Sequence, residues 1–411
     1  MAILRTALAT GMLCAAFGLT ACSGGETDGR PALPTVINLN GANGPVLTAP
    51  RVQPVAYQTD PDLAEMEAFL HELTTTSYWS ETTSQYGVGP LTVLPTVYLP
   101  GPAPATISDG TVQQAITLNT GGSDPAWGPA DASTVYLFLI PPGQIISDPG
   151  EVGCKDFDGY HDEVTVGATA VAYAVGCSCP GYDGPSVTDL QERTVAVSHE
   201  LVEAASDPLP ATDAAYAGED DADIAWTVVT GGEIADMCEL NLDSTVVPPG
   251  SKYMVQRIWS NAAAAAGQNP CVPVVATPPY FNSYAVVSEV VTVVMTNPPP
   301  TPNTITPTPG ITIPLGTSKT VDVQLYSDAP TSGPWTVTAY DYNALINSGA
   351  ARLTFSFDGA AGSNGDTLHL TITAVSANTV LGAEPFLLFS TLGTPGEPGF
   401  AQNLSMGVVS Q

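Results

Sequence analysis

Apolar and polar positions repeat along this chain with two different periods, and the change falls near Pro279. Leu63, Met66, Phe69, Leu70 and Leu73 recur at three- and four-residue spacing, which predicts an amphipathic helix within Asp60–Tyr78. Val135–Ile140 is almost wholly apolar and reads as a buried central strand. Leu91–Leu99 and Ala168–Val175 also read as strands, and Pro34–Ile37 as a first one. The clearest helix is Asp189–Ser206. Thr188 with Gln191 three residues on forms a capping box, and Asp207-Pro208 ends the helix because proline restricts its predecessor and cannot donate a hydrogen bond. A short helix at Ala262–Ala266 is closed by Gly267.

Beyond Pro279 the period becomes two. Val286–Met295 is rich in β-branched residues, and a Pro/Thr-rich stretch near 297–309 reads as a linker or loop. Short strand patterns follow at Thr320–Leu325, Trp335–Tyr340, Arg352–Phe357, Leu368–Thr373 and Phe386–Phe389, with turn residues between them. The predicted fold class is therefore α+β. A mixed, metallopeptidase-like core domain at 34–276 is followed by an all-β, immunoglobulin-like sandwich at 277–411. His369 alternates within a strand and reads as a surface or structural residue.

The N-terminus adds an address. Arg5 precedes an apolar run, Ala7–Leu19, that is too short for a membrane-spanning helix, which needs roughly 20 residues. The run ends in Leu19-Thr20-Ala21-Cys22, which looks like the lipobox of bacterial lipoproteins. Residues 1–21 then form a signal peptide, Cys22 carries the lipid, and 22–33 is a flexible tether. Ser23 after the anchor fits an outer-membrane or cell-surface position within the envelope. The expected partners are the membrane, through the lipid, and a peptide, protein or other cell-surface substrate.

Composition narrows the choice further. Nine basic against 40 acidic residues give a net charge of -31, which excludes nucleic acid as a partner and suits divalent cations, calcium among them. In an exported chain, Cys154, Cys177, Cys179, Cys238 and Cys271 are disulfide candidates. The expected pairs are Cys238 with Cys271, and Cys154 with Cys177 or Cys179, leaving one thiol over.

The chemistry-bearing segment is Ser198-His199-Glu200-Leu201-Val202-Glu203. Leu190, Val197, Leu201, Ala204 and Ala205 share one helix face, while His199 and Glu203, four apart, share another. The pattern His-Glu-x-x-Glu varies the zincin motif His-Glu-x-x-His. His199 and Glu203 would be ligands, preferably to zinc, and Glu200 the general base. Glu203 stands where the motif has its second histidine, which makes the site more tolerant of harder ions. A third ligand is required, and the candidates are Glu233 or Asp236, then His161. The acidic run Glu219, Asp220, Asp221 and Asp223 reads as a solvated loop able to hold calcium. Tyr160 is either an oxyanion donor or a packing residue.

Several of these motifs occur together in an order that resembles the EXORDIUM-like, phosphate-induced protein family and its bacterial relatives. They are Cys154 through Gly159-Tyr160-His161, Ala172–Val175, His199–Pro208, Trp226 with Glu233–Cys238, and Val255–Asn261. The resemblance covers roughly Pro34 to Pro273. It implies an extracellular setting and supports the site's position more than its chemistry. Two functional expectations follow: an exported zinc-dependent hydrolase of the peptidase kind, or a surface binding and adhesion lipoprotein whose metal site is structural or vestigial.

Overall fold

The computed structural model describes residues 32–41, 44–148, 151–182, 187–274, 278–295 and 303–411. Residues Ala32–Gln411 form one compact unit. The signal segment, Cys22, most of the tether, the 276/277 boundary and the first part of the Pro/Thr-rich stretch lie outside the described residues.

A mixed sheet organises the first part of this unit. Its strand order is Thr92–Val93, Arg51–Tyr57, Thr134–Leu139, Thr169–Gly176 and Gly159–Val166; Val97–Leu99 also pairs with Arg51–Tyr57. These pairs are parallel except the last, where Gly159–Val166 runs antiparallel at the sheet edge. Period-two side-chain alternation sends residues into two cores. Val135, Leu137 and Leu139 join one with the helices Leu63–Leu73 and Asp189–Ser206. Tyr136, Phe138 and Ile140 join the other, with Val112 and Ile116 of the helix Asp109–Leu118. A strand buried on both faces is what the unbroken apolar run at Val135–Ile140 predicts.

Small residues bring the long helix close to this sheet. Ala172 and Ala174 face it within the same core, and a Cβ on Gly176 would lie 2.3 Å from Val197 Cγ2. The helix Asp189–Ser206 starts with the expected capping box at Thr188 and Gln191. Every residue from Glu192 to Ser206 is buried except His199, which is intermediate. The face opposite Leu201 is thus the floor of a cavity rather than a solvated surface. Arg193, fully buried, is clamped by Asp60 through bonds of 3.1 and 2.6 Å, tying this helix to the start of Leu63–Leu73.

The second part contains two sheets around one core. Phe281–Ala285, Ser318–Ser327, Thr367–Ala374 and Leu353–Phe357 form an antiparallel four-stranded sheet. Facing it are Glu289–Met295, Thr304–Thr312, Ala401–Ser410, Ala383–Leu392, Trp335–Asp341 and Ala361–Gly362. The strand Ala383–Leu392 is buried almost throughout because it serves two partners. Phe386 and Leu388 point into the core between the sheets, while Leu387 and Phe389 pack on the first part of the unit.

Two expectations need correction. Pro34–Ile37 is not a strand; Val36 is buried, but its backbone N–H and C=O are held by the Asn261 side chain at 3.0 and 2.8 Å. The 304–309 part of the Pro/Thr-rich stretch is strand, not loop. There Thr306 and Thr308 are buried while Pro307 and Pro309 are exposed, so both missing N–H groups fall on the same side of the strand. The sequence pattern also passed over the helix Asp109–Leu118 and the strands Arg51–Tyr57, Phe281–Ala285 and Ala401–Ser410.

Candidate metal centre

The side chains singled out from sequence converge in one cavity of about 300 Å³, whose lining includes His161, His199, Glu200, Glu203, Glu233 and Asp236. Three separate elements supply them. The helix Asp189–Ser206 brings His199, Glu200 and Glu203. The edge strand Gly159–Val166 brings His161, and the turn into the short helix Asp236–Glu239 brings Glu233 and Asp236.

His199 Nε2 lies 3.0 Å from Glu203 Oε2 and 3.3 Å from Asp236 Oδ1. His161 Nδ1 is 3.6 Å from Glu200 Oε2 and 3.7 Å from Glu203 Oε2, and its Nε2 is 3.8 Å from Glu233 Oε1. Two backbone amides, of Ala235 and Asp236, donate to Glu203 Oε1 at 3.0 and 3.3 Å, leaving Oε2 to face the imidazoles. Glu200 sits under Gly159, where a Cβ would lie 2.7 Å from Glu200 Cγ and Oε1. Only glycine lets the edge strand pass so close.

Electrostatics in the cavity favour protons on the bases. Burial alone would push His161 down, but Glu233, Glu200 and Glu203 overcome it and push it up to about 10. His199 is likewise raised well above its ordinary value, with Glu203 and Glu200 outweighing burial. Against burial, the His199 charge pulls Glu203 down to about 2. Burial and then the Glu203 charge push Asp236 up to about 8; Glu233 is raised well above the carboxylate range by burial, against the pull of His161.

These groups could hold a metal ion. Three sets have donor atoms within 4.8 Å of one another: His199, Glu203 and Asp236; His161, Glu200 and Glu203; and His161, Asp207 and Glu233. Two ligands 2.0–2.2 Å from a tetrahedral centre sit about 3.3–3.6 Å apart. The separations around His199 are near that range, and they equally serve hydrogen bonds while no ion is bound.

Asp207 was passed over in the sequence except as a helix terminator. The available signal was the spacing of His199, Glu203 and Asp207, each one helical turn after the last. Tyr160 is no free oxyanion donor: its hydroxyl donates to Asp109 Oδ1 at 2.9 Å, and Tyr173 donates to the same atom at 2.6 Å. Glu219 is not solvated but buried, with Thr227 donating to it and its carboxyl pushed up by burial to about 8.

The cysteines form two disulfides, Cys154–Cys179 and Cys238–Cys271, and Cys177 is a buried free thiol. Such bonds fit an oxidising compartment. The first flanks the strand that carries His161, and the second anchors the helix that carries Asp236. Among the described residues, no helix is long and apolar enough to cross a membrane. His369 is half exposed and paired with Asp322 at 2.9 Å, a surface role.

The Val255–Asn261 run is scaffold around the site. Gln256 N–H donates to Ser198 Oγ at 2.9 Å and its side chain to Ala235 O at 3.1 Å, while Trp259 N–H donates to Ile234 O at 2.8 Å.

No family model matches the chain, and no curated protein matches it. Among solved structures, domains 4 and 5 of the S-layer protein SbsC match at 11% identity and a TM-score of 0.17, over 35% of this chain and 69% of that one. That overlap is too slight to define a shared fold.

Proposed function

We propose that this chain is an exported, lipid-anchored hydrolase that uses a divalent metal, zinc foremost, to cleave peptide bonds at the cell surface. The observation that carries this reading is the convergence of His199, Glu203 and Asp236 on the cavity floor, with Glu200 beside them. The donor set fits the ion. One imidazole and two carboxylates are acceptable zinc ligands, and three protein ligands leave a position open for substrate or water. A bound ion supplies Lewis-acid polarisation to a substrate carbonyl and to water. Glu200 Oε1, 4.0 Å from His199 Nε2, is placed to take the proton of the attacking water and to pass it to the leaving amine. The cavity walls of Phe157, Tyr160 and Tyr182 offer apolar surface to a substrate side chain. A core of this kind is metallopeptidase-like, and the resemblance of its motif order to that of EXORDIUM-like proteins supports the site's position.

The test uses the soluble chain without its signal and anchor. Bound metal is measured, and peptide cleavage is assayed with and without chelator. Chelation is expected to stop cleavage, and Glu200→Gln to abolish turnover while the metal stays bound. A natively folded protein that takes up no metal and cleaves nothing refutes the proposal.

The excess of carboxylates over imidazoles in the cavity favours a second reading, a harder ion such as calcium held for stability in a surface binding protein. In that case chelation lowers the melting temperature and no turnover is found.

A further inference from the structure

The cavity presents more donors than one ion uses. Three protein ligands serve a catalytic zinc, and His199, Glu203 and Asp236 supply them. A second set, His161, Asp207 and Glu233, meets the same distance test and shares no member with the first.

Two atoms of this second set are buried without a hydrogen-bond partner among the described residues: His161 Nε2 and Asp207 Oδ2. The His161 side chain is 4% exposed and Asp207 is 1% exposed. Their sister atoms face other groups. Asp207 Oδ1 accepts the Ala215 N–H at 2.8 Å, and His161 Nδ1 faces Glu200 and Glu203. Glu233 Oε1, 3.8 Å from His161 Nε2, is beyond hydrogen-bond reach and close to the separation of two ligands on one ion. Buried polar atoms left unpaired are costly, and native structures keep them for a reason such as a bound ion.

The number of carboxylates points the same way. Five carboxylates, those of Glu200, Glu203, Asp207, Glu233 and Asp236, belong to the three donor sets, more than a single ion with three protein ligands engages.

We propose that the cavity holds two divalent ions side by side, the first on His199, Glu203 and Asp236, the second on His161 Nε2, Asp207 and Glu233. This rests on reading the cavity as a metal centre. His161 lies against both sets, with Nδ1 3.7 Å from Glu203 Oε2 and Nε2 3.8 Å from Glu233 Oε1, so the two sites adjoin. A paired centre can grip both the attacked group and the attacking oxygen.

The test strips the soluble chain of metal, reloads it with Zn²⁺, desalts it and counts zinc per chain. Two are expected for the wild type, and one each for Glu233→Gln, Asp207→Asn and Asp236→Asn. Asp207→Asn keeps the acceptor for the Ala215 amide, and circular dichroism checks each fold. Loaded with Mn²⁺, the wild type is expected to give an exchange-coupled paramagnetic resonance signal that Glu233→Gln loses. One zinc in the wild type, unchanged by Glu233→Gln and Asp207→Asn, overturns the second ion and leaves the single-ion hydrolase standing. Two zincs retained in both variants overturn the assigned ligands. No zinc retained at all overturns the metal centre itself.

Discussion

Zinc binding at His199, Glu203 and Asp236 is expected to strengthen steeply as the pH rises. In the ion-free chain His199 keeps its proton well above the ordinary imidazole value, because Glu203 and Glu200 outweigh the effect of burial. Asp236, pushed up to about 8 by burial and the Glu203 charge, is roughly nine-tenths protonated at pH 7. Glu203, pulled down to about 2, is already ionised and releases nothing. Metal ligands must be deprotonated, so the first ion displaces about two protons near pH 7. The apparent dissociation constant then falls about 100-fold per pH unit, or about 2.7 kcal/mol. Above pH 8, where Asp236 has titrated, the slope relaxes toward about tenfold per unit. The assay is a zinc titration against a competing chelator at pH 6, 7 and 8. Calorimetry in two buffers of different ionisation enthalpy counts the protons. An affinity that changes less than about threefold per unit between pH 6 and 7, or a release below about one proton per ion, refutes the displacement of protons from His199 and Asp236 by the ion.

Other perturbations test the frame around the site. Asp60→Ala leaves the fully buried Arg193 guanidinium without its two-pronged partner and is expected to cost about 3–5 kcal/mol in denaturant unfolding; a loss below about 1 kcal/mol would show that Asp62, 3.9 Å away, takes over. Glu219 has its folded pKa raised by burial, so its contribution to stability is lost as pH climbs from about 4.5 through about 8. Glu219→Gln is therefore expected to match the wild type below pH 4.5 and exceed it by roughly 2–4 kcal/mol above pH 8, and an equal melting temperature at both ends of that range contradicts this. Replacing Cys238 and Cys271 by serine opens a bond with a sequence separation of 33 residues and is expected to cost about 3–4 kcal/mol on the chain-entropy model. It also loosens the helix that carries Asp236, so metal affinity falls with it, read by the same chelator competition.

How much of this was legible in the chain depended on whether a feature was local. The helix Asp189–Ser206 was readable end to end, because its cap, its apolar stripe and its proline stop lie within 21 residues of sequence. The strand Thr134–Leu139 was readable because burial on both faces leaves an unbroken apolar run. Arg51–Tyr57 was not: it is also largely buried, but Arg51, Gln53 and Pro54 break its pattern, and its place depends on pairing with Thr134–Leu139 far along the chain. Thr304–Thr312 misled for a different reason. Prolines at alternate positions look like a loop in composition, yet they suit a strand that needs N–H groups on one side only.

Within the site, the same rule separates what sequence could and could not give. His199, Glu200 and Glu203 came from a helical spacing, whereas the choice among Glu233, Asp236 and His161 depended on where a sheet edge and a turn meet that helix. Glycines at 159 and 176 settle the meeting point, since each permits an approach that any Cβ would block: one against Glu200, the other against Val197. The Glu200 carboxylate and the helix packing are thereby fixed by residues that carry no chemistry of their own. Gly159→Ala is accordingly expected to lower turnover by displacing Glu200, while zinc, whose first ligands lie on His199, Glu203 and Asp236, stays bound. Loss of zinc together with activity would place Glu200 among the ligands instead.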